Sequence, residues 1–181
     1  MNYLISIDWL DGCWKTILGK RLAERIDWRY YYTPPEQIHS IREFADKSTP
    51  HIRGYYYMFG NLVASKDFEE ILKHSHVVSD RYIYATRAYH EVLWVNLLTP
   101  KNLLLPHAVV YIKASWETMQ RRLKERFWTS PYEDINYLKK VAIHYEEMLS
   151  IVPNVIVVDS TDRNPDDVIE EILDKLSFLQ F

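Results

Sequence analysis

The sequence has 181 residues, a natural size for one domain with a substantial buried core. Hydrophobic residues make up 48% and charged residues 26%, and the net charge of −3 gives no basic surplus of the kind that non-specific nucleic-acid binding uses. The single cysteine excludes an intrachain disulfide and a Cys-rich zinc site, and no apolar run approaches the roughly 20 residues that span a bilayer. We therefore expect a cytoplasmic protein without membrane or nucleic-acid partners.

Strands and helices are predicted to alternate along the chain. Short apolar runs predict strands, and segments with apolar residues on one helical face predict helices. The predicted strands are residues 3–8, 28–33, 77–79, 108–114 and 154–159, and the predicted helices are residues 16–26, 37–45, 55–72, 86–98, 116–127, 133–151 and 165–179. Because the strands are continuously apolar, we expect a parallel sheet with helices on both faces, a three-layer α/β/α arrangement. We see no repeat or linker and expect one domain over residues 1–181.

The segment DWLDGCWKT, residues 8–16, partly matches a phosphate-binding loop. The pattern G-x-x-x-x-G-K-[ST] requires glycine at two positions, which Trp9 and Trp14 occupy here. Glycine is used because the backbone takes positive φ and approaches the phosphates without an intervening Cβ. Lys15 and Thr16 remain, at the start of a helix whose N-terminus favours anions. We expect a degenerate loop in which ATP binds poorly in its ordinary pose, unless the indoles face away or stack on a base.

Two charged groups follow predicted strands, at the edge of the sheet where ligands bind in open parallel sheets. One contains Asp11, Lys15 and Thr16, and the other contains Asp80, Arg81 and Tyr82. Phosphoryl transfer needs a cation for the β- and γ-phosphates, a hydroxyl and a carboxylate around Mg²⁺, and an arginine for the migrating phosphate. The two groups together contain a residue for each of these requirements. The alternative is that Asp80 and Arg81 form a simple ion pair at a strand end.

The motif VVSDRYIYATRAYH, residues 77–90, resembles the strand, Asp-Arg-Tyr and helix segment of the thymidylate kinase family. The opening ISIDWLDGCWKT is similar to that family's phosphate loop. VYIKASWETMQRRLKER resembles its strand and basic helix before the lid, and VIVVDSTDRNPDDVIEEI resembles its last strand and helix. The chain is thereby identified as a divergent member of these P-loop nucleoside monophosphate kinases. The resemblance implies a P-loop NTPase fold, ATP and Mg²⁺ as cofactors, a nucleoside monophosphate as acceptor, and a homodimer packed through the helices at 55–72 and 86–98.

The resemblance also implies roles on the donor side of the site. Gly12, Lys15 and Thr16 are expected to bind the ATP phosphates, with Lys15 also catalytic. Arg122 and Arg126 match the arginines of the family's lid, which is expected here as a short segment around residues 126–134. A solvated basic helix end is the alternative interpretation of these arginines.

On the acceptor side, Asp11 and Arg81 are expected to be catalytic and to contact the acceptor nucleotide. Tyr82, Thr86 and His90 match positions that contact the acceptor, although His90 stands where glutamine is usual. The metal is expected on Thr16 and Asp80.

Two further departures concern the acceptor. The family's Thr-Arg-Glu-Pro is replaced by TPPE at residues 33–36, and the arginine that often follows the Phe59 region is missing; Asn61, Ala64 and Ser65 lie there instead. Two hypotheses therefore stay open, namely a working nucleoside monophosphate kinase with a remodelled donor loop, and a catalytically silent relative that binds a nucleotide or a partner protein. Other P-loop chemistry, such as a nucleoside kinase, is a third possibility.

Overall fold

The fold is built on a parallel sheet, as the sequence predicts. A computed structural model describes residues 1–125 and 134–179. Within these residues the strands are β1 (Leu4–Asp8), β2 (Arg29–Tyr32), β3 (Val77–Asp80), β4 (Ala108–Lys113) and β5 (Val155–Asp159). They form one sheet in the order β2-β3-β1-β4-β5, and every pairing is parallel. All residues of β1 and β3, in the middle of the sheet, are buried, which explains their continuous apolar character.

Helices connect the strands and cover both faces. They are α1 (Lys15–Arg25), α2 (Arg42–Asp46), α3 (Pro50–Ile71), α4 (Ile83–Glu91), α5 (Trp116–Lys124), α6 (Ile135–Leu149) and α7 (Pro165–Leu176), with 3₁₀ turns at Glu36–Ile41 and Ser177–Leu179. Helix α1 packs against α7, whereas α4 packs against both α3 and α6. Right-handed crossovers place these two sets on opposite faces of the sheet.

Several helix boundaries differ from the prediction. The segment predicted as one helix at 37–45 is a 3₁₀ turn followed by the short α2. Helix α3 begins at Pro50 rather than 55, because the Thr49 side chain accepts a hydrogen bond from the Ile52 amide and a proline suits the first helical position.

The helix predicted at 86–98 begins at Ile83 and ends at Glu91. It stops because Trp94 takes a left-handed conformation with φ of 62° and the Val95 amide bonds back to the His90 carbonyl, closing the helix end. The predicted lid at 126–134 and Arg126 lie outside the described residues, except for Asp134, which caps α6. No helix in the described part is long and apolar enough to cross a membrane.

Candidate functional site

A cavity of about 470 Å³ opens at the carboxyl ends of β1 and β3, where ligands bind in open parallel sheets. Its walls come from two groups of residues. We call them the loop side (Asp11, Trp14, Lys15, Thr16, Arg81 and Arg122) and the helix side (Arg42, Asp46, Arg53, Tyr57, Asn61, Thr86 and His90). The structure therefore brings together most of the residues that the sequence singled out.

In the loop after β1, two tryptophans as well as the glycine have positive φ angles, a conformation that glycine favours. The φ angles are 138° at Trp9, 90° at Gly12 and 62° at Trp14. A non-glycine residue held in this region costs roughly 1–3 kcal/mol. At Gly12 a Cβ would also lie 3.0 Å from the Met119 carbonyl oxygen, so glycine is required there. The two tryptophans therefore replace glycine without changing the sign of φ.

The two indoles point in different directions. Trp9 is 4% exposed and packs edge-on against Tyr111 and Tyr145, with ring centroids 4.2 and 5.6 Å away, in the core behind the loop. Trp14 lines the cavity, and the guanidinium carbon of Arg122 lies 3.5 Å from the centroid of its ring. Only the indole of Trp14 therefore occupies space beside Lys15.

Arg122 is held firmly in this stacked position. It is buried, and its Nη1 donates to the Ser160 hydroxyl at 3.0 Å and to the Gly12 carbonyl at 3.4 Å, while its Nη2 donates to the Ser160 carbonyl at 2.6 Å. These contacts tie the end of α5 to the loop and to the residue after β5.

Lys15 and Arg81 meet at the same carboxylate. The ammonium of Lys15 donates to the Leu10 carbonyl and lies 3.9 Å from Asp11 Oδ1, and Arg81 donates to the same Asp11 oxygen. The Arg81 guanidinium also lies over the Tyr89 ring, 5.2 Å from its centroid, and the Tyr89 hydroxyl donates to Asp11 Oδ2 at 3.2 Å. Burial, helped by the Arg81 charge, lowers the pKa of Lys15 to about 8. An arriving phosphate would compete with Asp11 for both cations.

Thr16 and Asp80 form a hydroxyl–carboxylate pair. The Thr16 hydroxyl donates to Asp80 Oδ2 at 2.5 Å, and the Tyr30 hydroxyl donates to the same oxygen at 3.0 Å. Across residues 1–125 and 134–179, no group of three or more His, Cys, Asp or Glu side chains is arranged to hold a metal. Mg²⁺ commonly takes one or two carboxylates and completes its shell with water and phosphate oxygens. The pair therefore fits a magnesium ion that arrives with a nucleotide.

Tyr82 does not join this assembly. Its ring is fully buried and packs edge-on against Phe68, with 5.2 Å between centroids, and it does not line the cavity. Arg81 takes a left-handed conformation with φ of 66° just before α4 begins. The chain turns there, so the side chain of Arg81 faces the cavity and that of Tyr82 faces the core.

The helix side contains residues that the sequence did not reveal. Arg53, Asp46 and Tyr57 are joined: Arg53 Nε donates to Asp46 Oδ1 at 3.2 Å, and the Tyr57 hydroxyl donates to the same oxygen at 2.9 Å. Asn61 donates to the Thr86 hydroxyl at 2.9 Å. No motif marks Arg53 in the sequence; an arginine inside an otherwise aromatic segment was the only available signal.

Below the loop lies another network that the sequence did not reveal. Asp8 is buried, and its carboxylate accepts hydrogen bonds from the Ser6 hydroxyl at 2.8 Å and from the Tyr145 hydroxyl at 2.6 Å. Burial raises the pKa of Asp8 despite these hydrogen bonds.

His90 makes the stability of the folded protein depend on pH. Burial, and then the neighbouring Arg53 charge, lower the pKa of His90 from 6.5 to about 4. The unfolded chain therefore binds a proton between pH 6.5 and 4 that the folded chain does not, so stability is complete above this window and is lost as the pH falls through it. Between pH 7 and 5 the loss at His90 is expected to be about 2 kcal/mol.

Urea unfolding of the wild type and of His90→Gln at pH 7 and pH 5 measures this loss. The wild type should lose about 2 kcal/mol more than the variant. His51→Gln, at an exposed position on α3, should behave like the wild type. Equal losses in the wild type and His90→Gln would contradict the assignment.

The parallel sheet, the loop that leads through Lys15 and Thr16 into α1, and the Asp80–Arg81 pair at the end of the adjacent β3 define a P-loop nucleotide kinase fold. Residues 7–172 match the sequence model of the thymidylate kinase family, and the chain belongs to that family. The resemblance found in the sequence is confirmed, and the function is of the thymidylate kinase-like, nucleotide-kinase type.

Similar proteins agree with this assignment. The chain is 29% identical over 181 residues to a probable thymidylate kinase of Methanocaldococcus jannaschii, covering 95% of this chain and 94% of the relative. A probable thymidylate kinase of Methanococcus maripaludis strain C6 is 27% identical over 195 residues, covering 97% and 96%. Among solved structures, thymidylate kinase from Candida albicans superposes with a TM-score of 0.81 at 16% identity, covering 99% and 92%. Deoxyadenosine kinase from M. mycoides superposes with a TM-score of 0.72 at 18% identity, covering 97% and 99%. These structural likenesses show the fold.

Proposed function

We propose that this protein transfers the γ-phosphoryl group of ATP to a nucleoside or deoxynucleoside monophosphate. The observation that carries the proposal is the meeting of Lys15, Thr16 and Arg81 on one wall of a cavity that continues to the helix side. A cavity of about 470 Å³ is within the range of small-molecule sites. The names of the curated relatives support the same reaction class.

On the donor side, Lys15 contacts the β- and γ-phosphates once it leaves the Leu10 carbonyl. The backbone at Gly12 cradles the phosphates, and Arg122, with Arg126 from the segment outside the described residues, contacts the donor nucleotide. Thr16 and Asp80 would hold Mg²⁺, which would neutralise charge on the phosphates. Lys15 stabilises the charge that develops on the transferred group, a contribution that needs no covalent step by the protein.

On the acceptor side, Arg81 clamps the acceptor phosphate, and Asp11 positions Arg81 and Lys15 for it. The shared contact with Asp11 keeps both cations on the same wall in the absence of ligand. Thr86 and His90 belong to the wall around the acceptor base.

A turnover assay tests the proposal. Purified protein is given each common nucleoside monophosphate in ribo and deoxy form, with ATP or GTP and Mg²⁺, and diphosphate formation is measured. We expect one or more monophosphates to be phosphorylated. No turnover with any pair would reject the kinase proposal.

A second candidate function is a catalytically silent relative that binds a nucleotide or a partner protein. Trp14 favours it, because its indole lines the cavity beside Lys15 and is stacked on Arg122. In that case Mg²⁺–ATP should give little thermal stabilisation, whereas a ligand at 100 times its Kd stabilises by about 2.7 kcal/mol. Melting curves with Mg²⁺–ATP therefore separate a kinase from a relative that does not bind ATP, and the turnover assay separates it from a relative that binds nucleotide without transferring phosphate.

We also propose a single domain with a short lid at residues 126–134, acting in the cytoplasm as a homodimer. The exposed side chains of Ile52, Tyr55 and Phe59 on α3 support a helical interface. The buried free thiol of Cys13 suits a reducing compartment. Light scattering of the purified protein tests the dimer.

A further inference from the structure

Arg53 is the most constrained cation on the helix side of the cavity. It lies in the first turn of α3 and is 8% exposed. Its Nε donates to Asp46 at 3.2 Å, and its guanidinium carbon lies 4.8 Å from the centroid of the Tyr57 ring. The carboxylate balances its charge and the ring fixes its plane, so the guanidinium presents a planar donor to the cavity that it lines.

His90 also holds the guanidinium of Arg53 in place. Its Nδ1 lies 2.7 Å from the Thr86 carbonyl oxygen, which can only accept, so Nδ1 carries the proton. Its Nε2 lies 2.8 Å from Arg53 Nη1 and therefore accepts from it. Both ring nitrogens of His90 are thus used by the protein. His90 is a positioning residue for Arg53.

A guanidinium donates hydrogen bonds and accepts none. On the edges that distinguish the bases, thymine and guanine present a carbonyl oxygen where cytosine and adenine present an amino group. An arginine can therefore donate a hydrogen bond to the carbonyl oxygen, but it cannot accept one from the amino group.

We propose that Arg53, oriented by His90, selects acceptor nucleotides whose base carries a carbonyl oxygen rather than an amino group at this edge. The inference rests on the proposed function, since it places the acceptor phosphate near Arg81 and the base on the helix side. It assigns base selection to an arginine at the start of α3, although the arginine expected after Phe59 is absent from the chain.

Matched nucleotides test the proposal. dUMP and dCMP, and likewise dIMP and dAMP, differ at a carbonyl or amino position. Calorimetric dissociation constants are measured for all four with the wild type. We expect each carbonyl nucleotide to bind roughly tenfold to a hundredfold more tightly than its amino partner, the value of one charge-assisted hydrogen bond.

Four variants separate selection from general damage. In Arg53→Met and His90→Leu the ratio within each pair should fall below about threefold, whereas His90→Gln, which keeps an acceptor for Arg53, should retain most of it. Arg42→Met is the matched control. Arg42 lines the same cavity and pairs with the same Asp46 at 3.5 Å, so its removal should weaken both members of a pair alike. If Arg53→Met does not fold, Arg53→Gln, whose amide both donates and accepts, gives the same comparison.

The outcomes also separate this inference from the proposed function. Equal or tighter binding of the amino nucleotides by the wild type, or an unchanged ratio in Arg53→Met, overturns the role of Arg53 while leaving the kinase proposal intact if turnover is observed. Failure of all four nucleotides to bind overturns the role of Arg53, and the kinase proposal falls with it only if no monophosphate of the wider turnover panel is phosphorylated.

Discussion

Replacing Lys15 with methionine is expected to lower kcat/KM for phosphoryl transfer by roughly 100- to 1,000-fold. Lys15 is the cation at the end of the phosphate loop, and it is only 5% exposed. The side chain of methionine is similar in length and apolar. We expect a small cost in stability, because burial already disfavours the charged form of Lys15 by lowering its pKa to about 8, and because Asp11 stays paired with Arg81. The loss should therefore appear in turnover rather than in folding. Steady-state kinetics with the best acceptor from the nucleotide panel measure it.

Lys66→Met is the control for this substitution. Lys66 lies on α3 with its side chain 67% exposed and paired with Glu69, so its removal should leave turnover unchanged. The melting temperature of Lys15→Met should lie close to that of the wild type. A Lys15→Met enzyme that keeps a third or more of the wild-type kcat/KM would show that another group supplies the charge.

Substitution of the two loop tryptophans should affect the unfolding free energy very differently. Trp9→Ala is expected to lose about 3–5 kcal/mol of unfolding free energy, because it empties a buried site against Tyr111 and Tyr145. Trp14→Gly should change stability by about 1 kcal/mol or less. The strain released at φ of 62°, roughly 1–3 kcal/mol, offsets the lost stack on Arg122, about 0.5–2 kcal/mol. Urea unfolding measures both.

Trp14→Gly should also raise the affinity for Mg²⁺–ATP, by roughly 2- to 30-fold, since the stack on Arg122 no longer has to be broken. Trp94→Gly is the matched control: Trp94 has the same φ of 62° but is 93% exposed and does not line the cavity. It should gain the released strain, about 1–3 kcal/mol, without any change in ATP affinity. Unchanged affinity in Trp14→Gly would mean that the indole does not obstruct the donor.

The sequence was sufficient for the inner strands β1, β3 and β4, because strands buried on both faces must be apolar along their whole length. It also located much of the loop side, since Lys15 and Thr16 follow the first predicted strand after a short loop and Asp80 and Arg81 follow the third directly. Helix ends were harder to predict. The end of α4 depends on the left-handed conformation of Trp94, which no residue type there announces.

The helix side could not be predicted for a different reason. Arg53, Asp46 and His90 come from three separate helices, and only the packing of α2, α3 and α4 brings them into contact. The directions of the two indoles depend on tertiary packing as well. The pattern showed where glycine was missing, but Tyr111 and Tyr145, which receive Trp9, lie about 100 residues or more further along the chain.

The hydrogen bond between Tyr145 and Asp8 links α6 to the floor of the loop. Helix α6 begins at Ile135, directly after the stretch expected to form the lid, and Tyr145 also contacts the Trp9 ring. A shift of α6 must therefore disturb the environment of that indole. The chain has six tryptophans, so a variant that keeps only Trp9 would report such a shift through its fluorescence.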